Sequence, residues 1–134
     1  MKRLILLFLM LISALPAFGA DLTVKVIRVV DGDTLRVRLV DPAPEILRVH
    51  LVRLRGVDAP ELHDQRTEIR AKAKAAKAWL DARVHDDDEL ILIDVEKDKY
   101  GRLLASVRVG GQDLALGLIE AGLAKPYDGG KRSW

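Results

Sequence analysis

The sequence predicts a mainly β fold with helices, a small closed or partly open barrel of five strands. Three observations lead there. Five short segments of β-branched or alternating apolar residues follow one another after residue 20. One long stretch with helical spacing separates the third from the fourth. The chain has 134 residues, 49% of them apolar, which suits one domain with its own core.

Residues 22–30 are rich in valine and isoleucine and predict the first strand. Asp31-Gly32 is a tight-turn signal. Leu35, Val37 and Leu39 then alternate with Arg36 and Arg38, the mark of a half-buried second strand. Residues 41–44 carry two prolines and predict a loop. The third strand is expected over residues 46–55. Leu47, Val49 and Leu51 share one face, and then Val52 and Leu54 carry the apolar phase on. Such a slip sends the wrong side chains inward unless a bulge absorbs it, so a bulge is expected near Leu51 or Val52. Arg53 and Arg55 would then point away from the core together.

A helix is expected over residues 66–84, capped by Asp64 or Thr67. Its apolar stripe is Ile69, Ala73, Ala76 and Leu80, with Trp79 beside it. Asp86, Asp87 and Asp88 read as solvated charge at its end. Strands four and five are expected over residues 90–95 and 102–109, followed by a Gly110-Gly111 turn. A short helix over 114–121 has Asp113 as N-cap and Gly122 as its stop.

Residues 1–20 follow a different plan. Lys2 and Arg3 precede an apolar run of about a dozen residues, and small residues come before Asp21. This is the layout of a secretory signal peptide, and the run falls short of the roughly 20 residues that span a bilayer. The expectation is export to a periplasm or beyond the cell, with no membrane association after cleavage. Of 22 basic and 20 acidic residues, cleavage removes Lys2 and Arg3 and leaves 20 of each. Net charge therefore gives no argument for a nucleic-acid partner. There is no cysteine, hence no disulfide, thiolate nucleophile or lipid-anchor cysteine.

Four carboxylates are candidates for chemistry: Asp31, Asp33, Asp58 and Glu61. Asp33 follows the turn between two strands, and Asp58 and Glu61 follow the end of another. Rigid strand ends can bring such acids together, and hard cations such as calcium take oxygen ligands of this kind. Arg53, Arg55 and Arg102 stand at strand edges, where a guanidinium fork can hold phosphoryl oxygens. On the residues alone two readings stand: a phosphate-and-metal site, or a small barrel with ordinary surface ion pairs. His50, His63 and His85 lie outside these clusters and read as surface or structural groups.

Three stretches carry a family resemblance: Val29-Val30-Asp31-Gly32-Asp33-Thr34, Arg53-Leu54-Arg55-Gly56-Val57-Asp58-Ala59-Pro60-Glu61, and Asp98-Lys99-Tyr100-Gly101-Arg102. A fourth is Leu118-Ile119-Glu120-Ala121-Gly122-Leu123-Ala124-Lys125. In this order they resemble the signature stretches of the staphylococcal nuclease family. The resemblance covers residues 22–127 and implies a five-stranded barrel of the OB type over residues 21–134. It implies calcium at Asp33, Asp58 and the main-chain carbonyl of Ala59. By position, Arg53 resembles the arginine that holds the scissile phosphate and Glu61 the glutamate that activates water. Arg102 resembles the second phosphate-clamping arginine, and Tyr100 and Tyr127 the tyrosines that contact the nucleotide. The implied activity is calcium-dependent hydrolysis of DNA and RNA to 3′-phosphorylated products by a monomer.

The sequence also departs from the family's pattern. The connection between strands two and three is longer, and the loop from Glu61 to the long helix is shorter. Ala59 replaces a usual threonine, which leaves its carbonyl in place. The family's last helix is expected to have no counterpart in this sequence, and the register at Tyr127 is off by one residue in a stretch that contains Pro126. The rival readings are a non-catalytic nucleic-acid-binding barrel of the OB type and an exported protein-interaction domain. Two Trp, two Tyr and two Phe leave little for base stacking, which disfavours tight single-strand binding as the main role.

Overall fold

The computed structural model describes residues 21–40 and 44–134; the expected signal segment lies outside them. In chain order the elements are β1 (Leu22–Asp31), β2 (Thr34–Leu39), a 3-10 turn (Glu45–Leu47), β3 (Val49–Leu54), β4 (Val57–Asp58) and α1 (Thr67–Asp81). Then come β5 (Glu89–Lys97), β6 (Leu103–Val109), β7 (Gln112–Asp113), α2 (Leu114–Glu120) and β8 (Lys125–Pro126).

Five of the described strands form a sheet in the order β3-β2-β1-β5-β6. Every neighbouring pair in that order is antiparallel. A parallel pairing of β3 with β6, Val52 opposite Leu103 and Leu54 opposite Ala105, closes the sheet on itself. The fold is a five-stranded mixed barrel with flanking helices, the OB-type architecture of staphylococcal nuclease. Closure removes the open edges that would invite pairing with another chain.

The barrel interior is filled by the inward half of each alternation: Val24, Val26, Leu35, Val37, Val52, Leu54, Leu92, Ala105 and Val107 are all buried. Helix α1 seals it with the expected stripe, Ile69, Ala73, Ala76 and Leu80, all buried. Its small residues allow close approach. A Cβ added at Gly32 would lie 2.7 Å from the Cβ of Ala76 and 2.8 Å from that of Ala59. Gly32 is therefore the point where the β1–β2 turn, α1 and the segment after β4 touch. Gly32→Ala should cost about 1–3 kcal/mol through overpacking. Urea denaturation measures this, and an unchanged midpoint would show that the three segments do not meet tightly there.

Several expectations need correction. Strand three starts at Val49, because residues 45–47 form a 3-10 turn in which Ile46 and Leu47 are exposed. No bulge occurs near Leu51: β3 pairs with β2 in unbroken register from Arg38 opposite Val49 to Thr34 opposite Arg53. Leu51 simply faces outward, and Val52 and Leu54 face the core. The irregularities sit in β1, between Val26 and Arg28 and between Val29 and Asp31, and in β5. Buried Val24, Val26 and Val29 show the same slip of phase, which the bulge in β1 absorbs.

Helix α1 spans Thr67–Asp81, shorter than expected, and its N-cap is Arg66 with no side-chain cap. Asp64 stands two residues earlier and accepts from the Arg66 amide at 2.8 Å, while Thr67 accepts from Arg70. Asp113 does cap α2, accepting from the Leu116 amide at 3.1 Å, and Gly122 ends it with φ +71°. Among the described residues no helix is long and apolar enough to cross a membrane.

Candidate nuclease site

The β1–β2 turn sets the first acid. Asp31 accepts from the Asp33 amide at 3.1 Å, which folds the turn and sets the two carboxyls side by side. Asp33 is buried; its Oδ1 accepts from the Thr34 hydroxyl at 2.9 Å and its Oδ2 from the Ala59 amide at 2.9 Å. The latter bond ties the first motif to the second. Strand β3 then delivers Arg53, and the short β4 delivers Asp58, which is 2% exposed.

Arg53 is the centre of the arrangement. Its Nη2 lies 3.2 Å from Asp58 Oδ1 and 3.8 Å from Asp33 Oδ2, with only 12% of the side chain exposed. The guanidinium also stacks on Tyr127, 4.9 Å from the ring centre. Tyr127 is held there by the pairing of β4 with β8, Val57 opposite Pro126, and by the hydrogen bond that its amide N–H donates to the Gly56 carbonyl at 3.0 Å.

Asp98 builds the far wall. Its Oδ1 accepts from the amides of Tyr100 and Arg102, each at 2.9 Å, and its Oδ2 from Arg102 Nε at 2.7 Å. Burial pushes the Asp98 carboxyl up, but these hydrogen bonds outweigh it and hold the group below its ordinary value. Arg102 is thus fixed under Tyr100, 5.4 Å from the ring centre. Tyr100 itself is largely exposed. Arg55 is occupied differently: it pairs with Glu96 and donates to the carbonyls of Asp94 and Leu104, bracing β5 and β6. Arg53, Glu61, Tyr100, Arg102 and Tyr127 all line one open cleft of about 1170 Å³, with Asp33 and Asp58 at its floor.

Sequence reasoning missed one contributor. Arg132 reaches into the same place: Nε donates to both oxygens of Asp58, at 3.0 and 3.1 Å, and Nη2 to the Ala59 carbonyl at 3.1 Å. Nη1 donates to Glu61 Oε1. Trp134 follows it and donates from Nε1 to the Asp58 carbonyl at 2.8 Å. A tryptophan in a stretch with no strand or helix pattern was the available signal. The three histidines stay outside: His50 bonds the Leu47 carbonyl, His85 pairs with Asp88, and His63 is exposed.

A profile of the family described as staphylococcal nuclease homologue matches residues 51–133. The chain belongs to the staphylococcal nuclease family. It is 36% identical over 99 residues to the thermonuclease of Staphylococcus intermedius, covering 73% of this chain and 55% of that protein. Against the thermonuclease of Staphylococcus hyicus it is 34% identical over 104 residues, 77% and 58% of the two chains. Protein ParB of Escherichia coli is 40% identical over 100 residues, 74% of this chain and 48% of that one. The chain spans about half the length of the curated relatives it matches.

The donor set at the floor of this family member's cleft is all oxygen: two buried carboxylates and the Ala59 carbonyl. That chemistry fits a hard divalent cation. Among the described residues no group of three or more His, Cys, Asp or Glu forms a metal cluster. The site's cost is visible in Asp33. Burial raises its carboxyl above the ordinary 3.8, the Asp31 charge adds to this, and the Ala59 amide and Arg53 only partly oppose it.

A raised folded pKa favours the protonated form, so stability is lost as pH rises through the folded value. Asp33→Asn removes that loss. In chelator, the variant should melt above wild type at neutral pH, and the difference should shrink as pH falls toward the ordinary carboxylate value. Thermal melts at both pH values read this out. A variant less stable than wild type at neutral pH would show that pairing with Arg53 outweighs burial.

Proposed function

We propose that the protein is a calcium-dependent phosphodiesterase that hydrolyses DNA and RNA and leaves 3′-phosphorylated ends. One observation carries the reading: the Arg53 guanidinium sits between two buried carboxylates, Asp33 and Asp58, on the floor of an open cleft. Surface ion pairs need no such burial, since charges taken out of water are costly unless paired. The cleft is open and is lined by Arg53, Arg102, Tyr100 and Tyr127, groups that suit a phosphate-bearing substrate.

In this reading Arg53 and Arg102 bind the phosphoryl oxygens and oppose the charge that grows on them. Glu61, at the rim, takes the proton of the attacking water. The P–O5′ bond breaks, the phosphate stays on the 3′ side, and the departing oxygen takes a proton from solvent. Tyr100 and Tyr127 contact the nucleotide. Asp33, Asp58 and the Ala59 carbonyl would hold the cation, which supplies further positive charge beside the phosphate. We read the chain as a monomer exported to a periplasm or the medium.

The test is single-turnover cleavage of short single-stranded DNA and RNA, with calcium and with a chelator. Cleavage that stops with the chelator and returns on adding calcium is the expected result, and Asp33→Asn should bind calcium weakly in isothermal titration. Binding of both substrates with no cleavage at saturating calcium would replace this reading with that of a non-catalytic nucleic-acid-binding module.

A further inference from the structure

We propose that residues 131–134 are a tethered competitor for the cation site: Arg132 holds the oxygens of Asp58, Ala59 and Glu61 in the metal-free protein, and a divalent cation enters only when this segment lifts away. The proposal takes its cation from the calcium reading above.

Arg132 donates to both Asp58 oxygens at 3.0 and 3.1 Å, to the Ala59 carbonyl at 3.1 Å, and to Glu61. These include two of the three oxygen groups suited to the cation, together with the carboxylate suited to water activation. Asp33 is not among them; it keeps its bonds to Thr34 and Ala59. A guanidinium and a divalent cation bring like charge to the same acceptors, and Arg132 occupies both Asp58 oxygens and the Ala59 carbonyl where Arg53 meets Asp58 only at Oδ1, so the docked Arg132 opposes entry of the cation. While Arg132 is docked, one oxygen of Glu61 is also engaged as an acceptor.

The segment has its own anchor and its own hinge. The Trp134 indole donates to the Asp58 carbonyl at 2.8 Å, and its ring lies 4.1 Å below Lys125 Nζ. Lys125 also donates to the Ser133 carbonyl at 2.8 Å. Upstream, Gly129 has φ +101°, a conformation that favours glycine, and Gly130 follows it. The Arg132 side chain is 43% exposed, so release opens no core. Burial lowers the Arg132 pKa, but the hydrogen bonds it donates to Asp58 and Glu61 outweigh this and raise it, so the group stays charged.

A segment docked about nine-tenths of the time weakens apparent cation affinity about tenfold. Calcium titration calorimetry on the full chain should therefore show Arg132→Ala binding about tenfold tighter than wild type. Trp134→Phe, which removes the indole donor, should also bind tighter and serves as the second variant if Arg132→Ala fails to fold by circular dichroism. Calcium should change the Trp134 emission of wild type, a change absent from Trp134→Phe. If wild type binds calcium and neither folded variant binds more tightly, the competitor is overturned and the nuclease reading stands. If folded wild type and both variants bind no calcium, the calcium reading falls and this proposal with it.

Discussion

Glu61→Gln is expected to slow single-turnover cleavage of a short single-stranded DNA by about 10²- to 10⁴-fold, the usual worth of general-base help. Fold and substrate binding should stay near wild type. The reason is positional. Glu61 stands just after β4 with half its side chain in water, so little packing depends on it. The amide keeps the size and still offers an oxygen to Arg132, but has no basic site for a proton. Circular dichroism and a binding assay at saturating calcium separate the two effects. Full activity in the variant would remove Glu61 from the mechanism.

Arg53→Lys should cost about 10²- to 10³-fold in the same assay, comparable to losing one preorganised transition-state donor. Lysine keeps the charge that Asp33 and Asp58 need, yet offers a single point charge where arginine offers a planar fork. Stability by urea denaturation should therefore fall far less than activity. Alanine is the poorer test, because it strands Asp33 and leaves Asp58 to Arg132 alone. Unimpaired cleavage by Arg53→Lys would mean the fork is not used on the phosphate.

The contrast between Arg53 and Arg132 shows what was legible in the sequence. Arg53 sits in a local motif at a strand end, where alternation fixes which way the side chain points. Its neighbours Asp58 and Glu61 lie within eight residues, so short-range pattern was enough to group them. Arg132 is 74 residues from Asp58, in a stretch with no periodicity, and one of 22 basic residues. The pairing of β4 with β8, the Tyr127 amide on the Gly56 carbonyl and the Trp134 indole on the Asp58 carbonyl bring that part of the chain back to the site. Helix α1 was legible because burial follows its 3.6-residue stripe directly.

Strand β3 misled for a physical reason. Leu47, Val49 and Leu51 look like one inward face, yet Leu51 lines the cleft and Leu47 is exposed in the 3-10 turn. Apolar residues on an outward surface break the assumption that apolar means inward. The real slip in β1 was masked by a run of valine and isoleucine that reads the same in either register.

The parallel seam between β3 and β6 joins segments about fifty residues apart. It also sets Arg53 beside the Asp98–Arg102 corner, and the β4–β8 pair adds Tyr127. No contiguous half of the chain holds a complete cleft. Loop closure on this scale is slow, because distant segments must meet before their contacts reward them. During refolding, secondary structure should thus recover ahead of function. A partly folded chain carries Asp33, Arg53, Asp58 and Arg102 but has no means of assembling them, so the cleft is a property of the finished topology.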